Sequence, residues 1–447
     1  MQADTPGQDE QDEEFSLQAS APGQSKEFSF GDAAILRPEP GNRWPIAATP
    51  ATVSGPVEFV AVPVEFAPIE GASGLQAGAF LGFDHALSAP TQIQGTVAQN
   101  PADSADLPDE LGPGAGLEPA ERSEVFVQAA YLQVGDDISA RLRGGGIYVL
   151  SPSVFAGITA DLSTGQAFSD TDQTGLSLNE LYLTASPANL PELRFSVGLL
   201  DLTSYLDRNS FAKDSLTQFF NPVFQTNPAL ATVNVASRPG LLVNWTPVDQ
   251  VSLTATTFSA AQGLGDFSLD SFAGELGVRL GNVILRGTYV SSRDAGERDG
   301  FQEIFAFDRG NGQFGPLPGD REQSFGLNAE AYIPAIKLGL FGRYGWYTNQ
   351  TIGASGQTYS LGVNGLDVFL PNDRLGLGYG RQLSNAGLRE ASGGTVPDVW
   401  ELFYDAEIIE NLRAGVSVQQ RNAFTETYLG FRVRYDLVWN PIRRGAE

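Results

Sequence analysis

"TYLGFRVRYDLVW", residues 427–439, is the stretch on which the fold turns. Leu429, Phe431, Val433, Tyr435, Leu437 and Trp439 take one parity, and Arg432, Arg434 and Asp436 take the other. An extended strand has a side-chain period of two, so the two sets leave it on opposite faces. A soluble sandwich alternates in the same way, with its apolar row turned to a protein core. One strand does not choose between core and lipid, and the rest of the chain has to.

Composition removes several classes. The chain has 447 residues, no Cys and one His, so disulfides and Cys-based or multi-His metal sites are excluded. The formal charge of −26 removes the electrostatic attraction on which nucleic-acid binding depends. Only 18% of residues are charged and the apolar ones recur in strand-like patterns, which excludes a wholly disordered acidic chain. No run is long and apolar enough for a transmembrane helix. The opening "MQADTPGQDEQDEE" carries no secretion signal, so an exported protein is expected here in processed form.

The chain divides near residue 120. Residues 1–123 hold nineteen acidic and four basic side chains and Pro-rich runs, and read as a mostly irregular acidic extension. Its one β-like stretch is "VEFVAVPVEFAPI", residues 57–69, which Pro63 restricts to an edge. Residues 124–439 read as a transmembrane antiparallel β-barrel of about 16 strands, and 440–447 as a tail. The expected strands are 124–133, 137–148, 154–163, 179–186, 192–200, 240–246, 250–259 and 271–280, then 282–292, 323–333, 336–348, 358–369, 373–383, 398–408, 411–422 and 427–439. Short turns such as "TPVD", "LGN" and "IEN" alternate with longer loops at 163–178, 201–239, 293–322, 349–357 and 384–397. Short periplasmic turns and longer external loops produce that alternation.

Parity supports lipid outside. Strand 271–280 sets Phe272, Leu276, Val278 and Leu280 against Glu275 and Arg279, and strand 192–200 sets Leu193, Phe195, Val197 and Leu199 against Arg194 and Ser196. Trp245, Trp439, Trp346 and Trp400 fall on apolar faces near strand ends, as aromatic girdles at two membrane interfaces require. By the same parity the lumen is lined by Arg141, Arg143, Arg194, Arg279, Arg286, Arg343, Arg413, Arg432 and Arg434, with Asp161, Glu180, Glu275, Glu330, Glu401, Asp405 and Glu407. About sixteen strands leave room for an aqueous channel. Both signs on one wall suit polar neutral solutes better than selection of one ion.

The loop 201–239 carries Phe211, Phe219, Phe220 and Phe224, which need burial, and folding into the barrel mouth would bury them and narrow the pore. Packing on the outer rim or against a neighbouring subunit is the alternative. The acidic turn "SDTDQ", residues 169–173, reads as hydrated, with calcium binding as the alternative. Enzymatic chemistry lacks its parts. His85 has no histidine partner, no phosphate-binding glycine loop is present, and the Glu401 and Asp405 carboxylates read as pore lining rather than acid and base. No catalytic residue, cofactor or metal is expected.

"LRFSVGLLDLTSYLDRNSFAKDSLTQFFNPVF" (193–224), "DRLGLGYGRQLS" (373–384), "WELFYDAEIIENLRAGVSVQQ" (400–420) and "YLGFRVRYDL" (428–437) resemble the carbohydrate-selective porin family of outer membranes, over roughly residues 124–439. The resemblance implies a diffusion channel of a diderm outer membrane that passes saccharides and other small hydrophilic solutes without energy input. It places Asp201, Tyr205, Asp207, Asn209, Phe211, Asp214, Gln218, Phe219 and Asn221 in or beside the constriction. Expected partners are outer-membrane lipid and small polar solutes, with a homotrimer consistent with the strand count and the N-terminal region in the periplasm. The extension shows neither a coiled coil nor a wall-anchoring module, and "NPIRRGAE" follows Trp439 where barrels of this type end on an aromatic residue. An anion-preferring or general ion porin is the nearest alternative, and a surface structural or adhesion β-protein is the alternative of another class.

Overall fold

The computed structural model describes residues 123–439 apart from 166, 169–173, 263–266, 297–299 and 311. The 57–69 stretch, His85, the 169–173 turn and the tail after Trp439 lie outside the described residues. The strands are β1 Glu124–Val134, β2 Asp137–Ser151, β3 Val154–Thr164, β4 Gly175–Ala185, β5 Leu193–Asp201, β6 Ser237–Val248, β7 Val251–Phe258 and β8 Ser271–Leu280. They continue as β9 Val283–Arg293, β10 Arg321–Ile333, β11 Leu338–Asn349, β12 Ala354–Leu366, β13 Arg374–Ser384, β14 Asp398–Ile409, β15 Leu412–Arg421 and β16 Glu426–Trp439. Two short helices lie between strands, α1 at Pro228–Ala231 and α2 at Ala386–Ser392.

Each strand pairs with its sequence neighbours, and β1 closes the ring against β16 from Val125 opposite Trp439 to Val134 opposite Gly430. Closure removes the free edges, which in hydrocarbon would leave a row of unpaired backbone groups. The sixteen expected strands all form, with shifted ends. β12 stops at Leu366 rather than 369 because Asp367 takes a left-handed φ of 51° and starts the turn. It also starts earlier, at Ala354, so the expected loop 349–357 shrinks to a tight turn. In β4 the register slips between Thr159 and Ala160 of the partner strand. That bulge turns both Asn179 and Glu180 inward, where they are 4% and 2% exposed.

The question raised by 427–439 is settled by exposure. Leu429, Phe431 and Tyr435 are 67%, 44% and 39% exposed, whereas Arg432, Arg434 and Asp436 are 0%, 1% and 4%. The apolar row faces out of the barrel and the charged row faces in. The pattern recurs around the ring, with Leu142, Ile158, Leu183, Val197, Leu276 and Leu402 all exposed. Trp245, Trp346, Trp400 and Trp439 also face outward, and some aromatics stack across strands, with Phe325 5.0 Å from Trp346 and Tyr379 4.7 Å from Trp400 between ring centres. An apolar belt of this extent has lipid, not water, as its solvent.

The interior is filled from two sides. One cluster joins wall residues Leu132, Ile284, Phe341 and Phe403 to Phe211, Phe219, Phe220 and Phe224 of the β5–β6 connection. The other sets Phe301 and Ile304 of the β9–β10 connection against Tyr347, Val290 and Leu383.

Candidate functional site: a loop bonded to the inner wall

The β5–β6 connection, residues 202–236, has almost no regular structure, so its backbone groups need partners from elsewhere. Three are supplied locally by Asx caps. Asp201 accepts from Thr203 N at 3.0 Å, Asn221 from Val223 N at 3.1 Å, and Asn227 from Ala229 N at 3.1 Å. Pro222 and Pro228 occupy first-turn positions, where a missing N–H costs nothing.

The wall supplies the rest. Glu275 of β8 accepts from Asp207 N at 2.7 Å, Glu330 of β10 from Ser210 N at 2.6 Å, and Glu401 of β14 from Phe220 N at 2.6 Å and Asn221 N at 2.9 Å. Carbonyls meet the cations and amides: Arg343 of β11 donates to Phe224 O at 2.8 Å, Arg432 of β16 to Ser215 O at 2.8 Å, and Asn364 of β12 to Phe211 O at 2.5 Å. Asn209 donates to Asn328 of β10 at 2.8 Å, and Asn221 to Gln419 of β15 at 3.2 Å. These partners run from β8 to β16 and all belong to the inward parity. The segment therefore follows the inside of the barrel, not its outer rim.

Aromatic packing seals the contact. Phe219 lies 4.5 Å from Phe224, 5.3 Å from Phe341 and 4.8 Å from Phe403 between ring centres, and the Arg432 guanidinium sits 4.3 Å above the Phe220 ring. Glycines on the wall make the approach possible. A Cβ on Gly378 of β13 would lie 2.8 Å from Phe219 Cε1 and 2.9 Å from Phe224 Cε1, closer than real Cβ atoms come.

Most of the other wall charges are buried and held by ion pairs or hydrogen bonds. Arg143 grips Asp161 with two bonds of 2.7 Å, and Asn179 donates to the same carboxylate at 2.7 Å. Arg286 meets Glu330 at 2.6 Å, Arg413 meets Asp405 Oδ1 at 2.7 Å, and Arg432 meets Asp405 Oδ2 at 3.0 Å. Arg434 donates to Asp436 at 2.6 Å and approaches Asp214 at 3.4 Å. Glu180 accepts from Thr159 at 2.8 Å, and Arg141 donates to Gln128 at 3.0 Å beneath the Phe168 ring. Arg194 is half-buried on β5. Arg279 and Glu407 sit at the short-turn end, one donating to Gly281 O at 3.1 Å and the other accepting from Asn372 at 3.3 Å.

Within the loop, Asp207 takes a left-handed φ of 51° and is fully buried, accepting from Asn227 N at 2.7 Å and ion-paired to Arg343 at 3.1 Å. Gln218 folds back to accept from Asp214 N at 3.0 Å and to donate to Ser210 O at 2.7 Å. Burial, with Glu180 nearby, pushes the Tyr205 phenol up. Asn328, Asn364, Gln419 and Asn227 were not singled out from sequence. The inward parity of Asn328, Asn364 and Gln419 is readable and Asn227 lies in the loop, but an uncharged amide carries no sign of what it binds. A groove of about 600 Å³ on the outer face, lined by Trp245, Leu253, Leu276, Tyr289, Phe325 and Trp346, belongs to the lipid-facing surface and not to this site.

No protein-family model matches the chain, and no curated protein matches it. Among solved structures it is similar to Salmonella typhi OmpF in a complex with daunomycin, at 13% identity over 70% of this chain and 97% of that one, with a TM-score of 0.47. It is similar to a Vibrio cholerae OmpT loop-deletion mutant at 12% identity, over 70% and 98% of the two chains, with a TM-score of 0.46. A triple mutant of the Rhodopseudomonas blastica porin follows at 17% identity, over 70% and 99%, with a TM-score of 0.43.

Proposed function

We propose that the chain is a porin of a diderm outer membrane, through which small hydrophilic solutes, saccharides foremost, diffuse passively past the 202–236 segment. The observation that carries the reading is the loop itself. A closed barrel with an apolar outside and a polar inside suits a membrane, and a segment held to its inner wall by side chains of every strand from β8 to β16 would set the width of the path. No electron, phosphoryl or acyl chemistry is needed, because selection by width and hydrogen bonding suffices. The described chain enters the barrel at the short-turn end, which supports reading the acidic extension as periplasmic.

Swelling of liposomes that contain the purified protein tests the reading. Monosaccharides should enter quickly and larger oligosaccharides progressively more slowly. A heat-modifiable, folded protein that admits no sugar and passes no current in a planar bilayer overturns it. The mass of the detergent-solubilised particle tests for a trimer in the same preparation.

A further inference from the structure

We infer that Lys213 makes the throat of the channel prefer anionic solutes, although the chain as a whole is strongly acidic. The inference rests on the channel reading above and names the solute charge that the same site favours.

It follows from an accounting of the charges on the loop. Asp201 caps Thr203 N and accepts from Ser204 at 3.0 Å. Asp207 is ion-paired to Arg343, and Asp214 accepts from Leu216 N at 2.8 Å and Thr217 at 2.7 Å with Arg434 beside it. Every loop carboxylate is therefore committed to protein donors. The wall glutamates beneath the loop are committed in the same way, to its backbone N–H groups.

Lys213 differs. It is half-buried, and its ammonium donates to the Thr226 hydroxyl at 3.0 Å, a neutral partner. Among the described residues it has no carboxylate within 4.0 Å. An ammonium carries three donors, so this one retains capacity for a solute. It is also the sole lysine of the segment, on a stem that can swing toward a passing carboxylate, phosphate or halide. Burial pushes the ammonium down to about 8, against the opposing charges of Asp207 of the loop, Asp201 of β5 and Glu275 of β8 and with the like charge of Arg343 of β11. The site therefore presents a positive charge at neutral pH and a weakened one in mild alkali.

The experiment is the zero-current potential of the full chain in a planar bilayer under a potassium chloride gradient, for the native protein, Lys213→Gln and Lys213→Arg. At pH 7 the native channel should be anion-preferring. Lys213→Gln should lower the chloride-to-potassium permeability ratio by about two- to fivefold, as expected for one unit charge a few ångströms from the path and partly screened by salt. Lys213→Arg should keep the ratio. Raising the pH from 7 to 9.5 should lower the native ratio and leave the Arg variant unchanged. A native channel that conducts without anion preference, or a folded Lys213→Gln channel with the native ratio, overturns the inference. A folded native protein that conducts nothing defeats the channel reading instead.

Discussion

Removal of one wall carboxylate should free part of the loop without opening the barrel. Both oxygens of Glu401 accept, one from Phe220 N at 2.6 Å and the other from Asn221 N at 2.9 Å, and the side chain is 0% exposed. Glu401→Ala deletes both acceptors and leaves two N–H groups in a site that the Phe219, Phe220 and Phe224 rings close to water. An unsatisfied buried donor costs about 1–3 kcal/mol, so the loop segment loses about 2–6 kcal/mol of anchoring. Glu401→Gln keeps one acceptor and sets an amide N–H against the second donor, for roughly half that loss. Glu275, Glu330 and Arg343 still hold the other turns of the loop, and no strand ladder runs through the Glu401 side chain. The effect should therefore stay local to residues 219–225.

Single-channel recording reads this directly. The native protein should show one well-defined conductance, Glu401→Ala a spread of levels with added current noise, and Glu401→Gln an intermediate behaviour. A gel run with and without heating confirms that each variant keeps the closed barrel. If folded Glu401→Ala matches the native level and noise, then Glu401 does not hold the loop and the wall carboxylates are not its anchors.

Other outcomes follow from the same geometry. Phe219→Ala empties the centre of the Phe224, Phe341 and Phe403 cluster and should cost about 3–5 kcal/mol of loop packing, seen as protease cleavage within 210–225 in a barrel that remains heat-modifiable. Leu276→Arg places a charge on the lipid face and should cost about 2–4 kcal/mol of barrel stability in a urea titration in lipid, whereas Leu276→Phe should be near neutral. In the β12–β13 turn, burial opposes ionisation of Asp373, but the N–H groups of Val368, Phe369 and Leu370 and the Tyr404 hydroxyl outweigh it and hold the carboxyl below the usual range. Its stabilisation is complete above the unfolded value of about 4 and is lost as pH falls through the lower folded value, so Asp373→Asn should weaken the protein at pH 7 and lose that deficit in strong acid.

The strands were legible because parity is local. Whether Leu429 or Arg432 faces lipid depends on neighbours two residues away, and the sixteen-strand ring needs only that rule repeated. The β4 bulge was not legible, since placing Asn179 and Glu180 on one face breaks the rule for the sake of Asp161, a residue 18 positions earlier. The loop was half legible. Its phenylalanines announced burial, but its partners on the wall from β8 to β16 lie 58 to 220 residues away, on strands brought together only by closure. That distance is why Glu401 read as a wall charge beside water when it is an acceptor for two backbone donors.

An irregular segment inside a barrel has a difficulty that a helix or strand does not. It must satisfy its N–H and C=O groups without a ladder, beside a wall whose own backbone is already paired. Side chains are then the available currency, and the wall carries carboxylates opposite N–H groups and guanidinium and amide groups opposite carbonyls. Charges used in this way are engaged by protein donors and acceptors where they stand, so their number alone says little about what a solute meets. The formal charge of −26 is equally uninformative, since residues 1–123 alone hold nineteen acidic against four basic side chains. Fields from exposed charges decay over about 8–10 Å at physiological salt. On the channel reading, what a solute feels would be set by the few groups at the narrow point that the fold has not already engaged, and in the loop the group proposed for that part is the Lys213 ammonium, bonded only to a neutral hydroxyl.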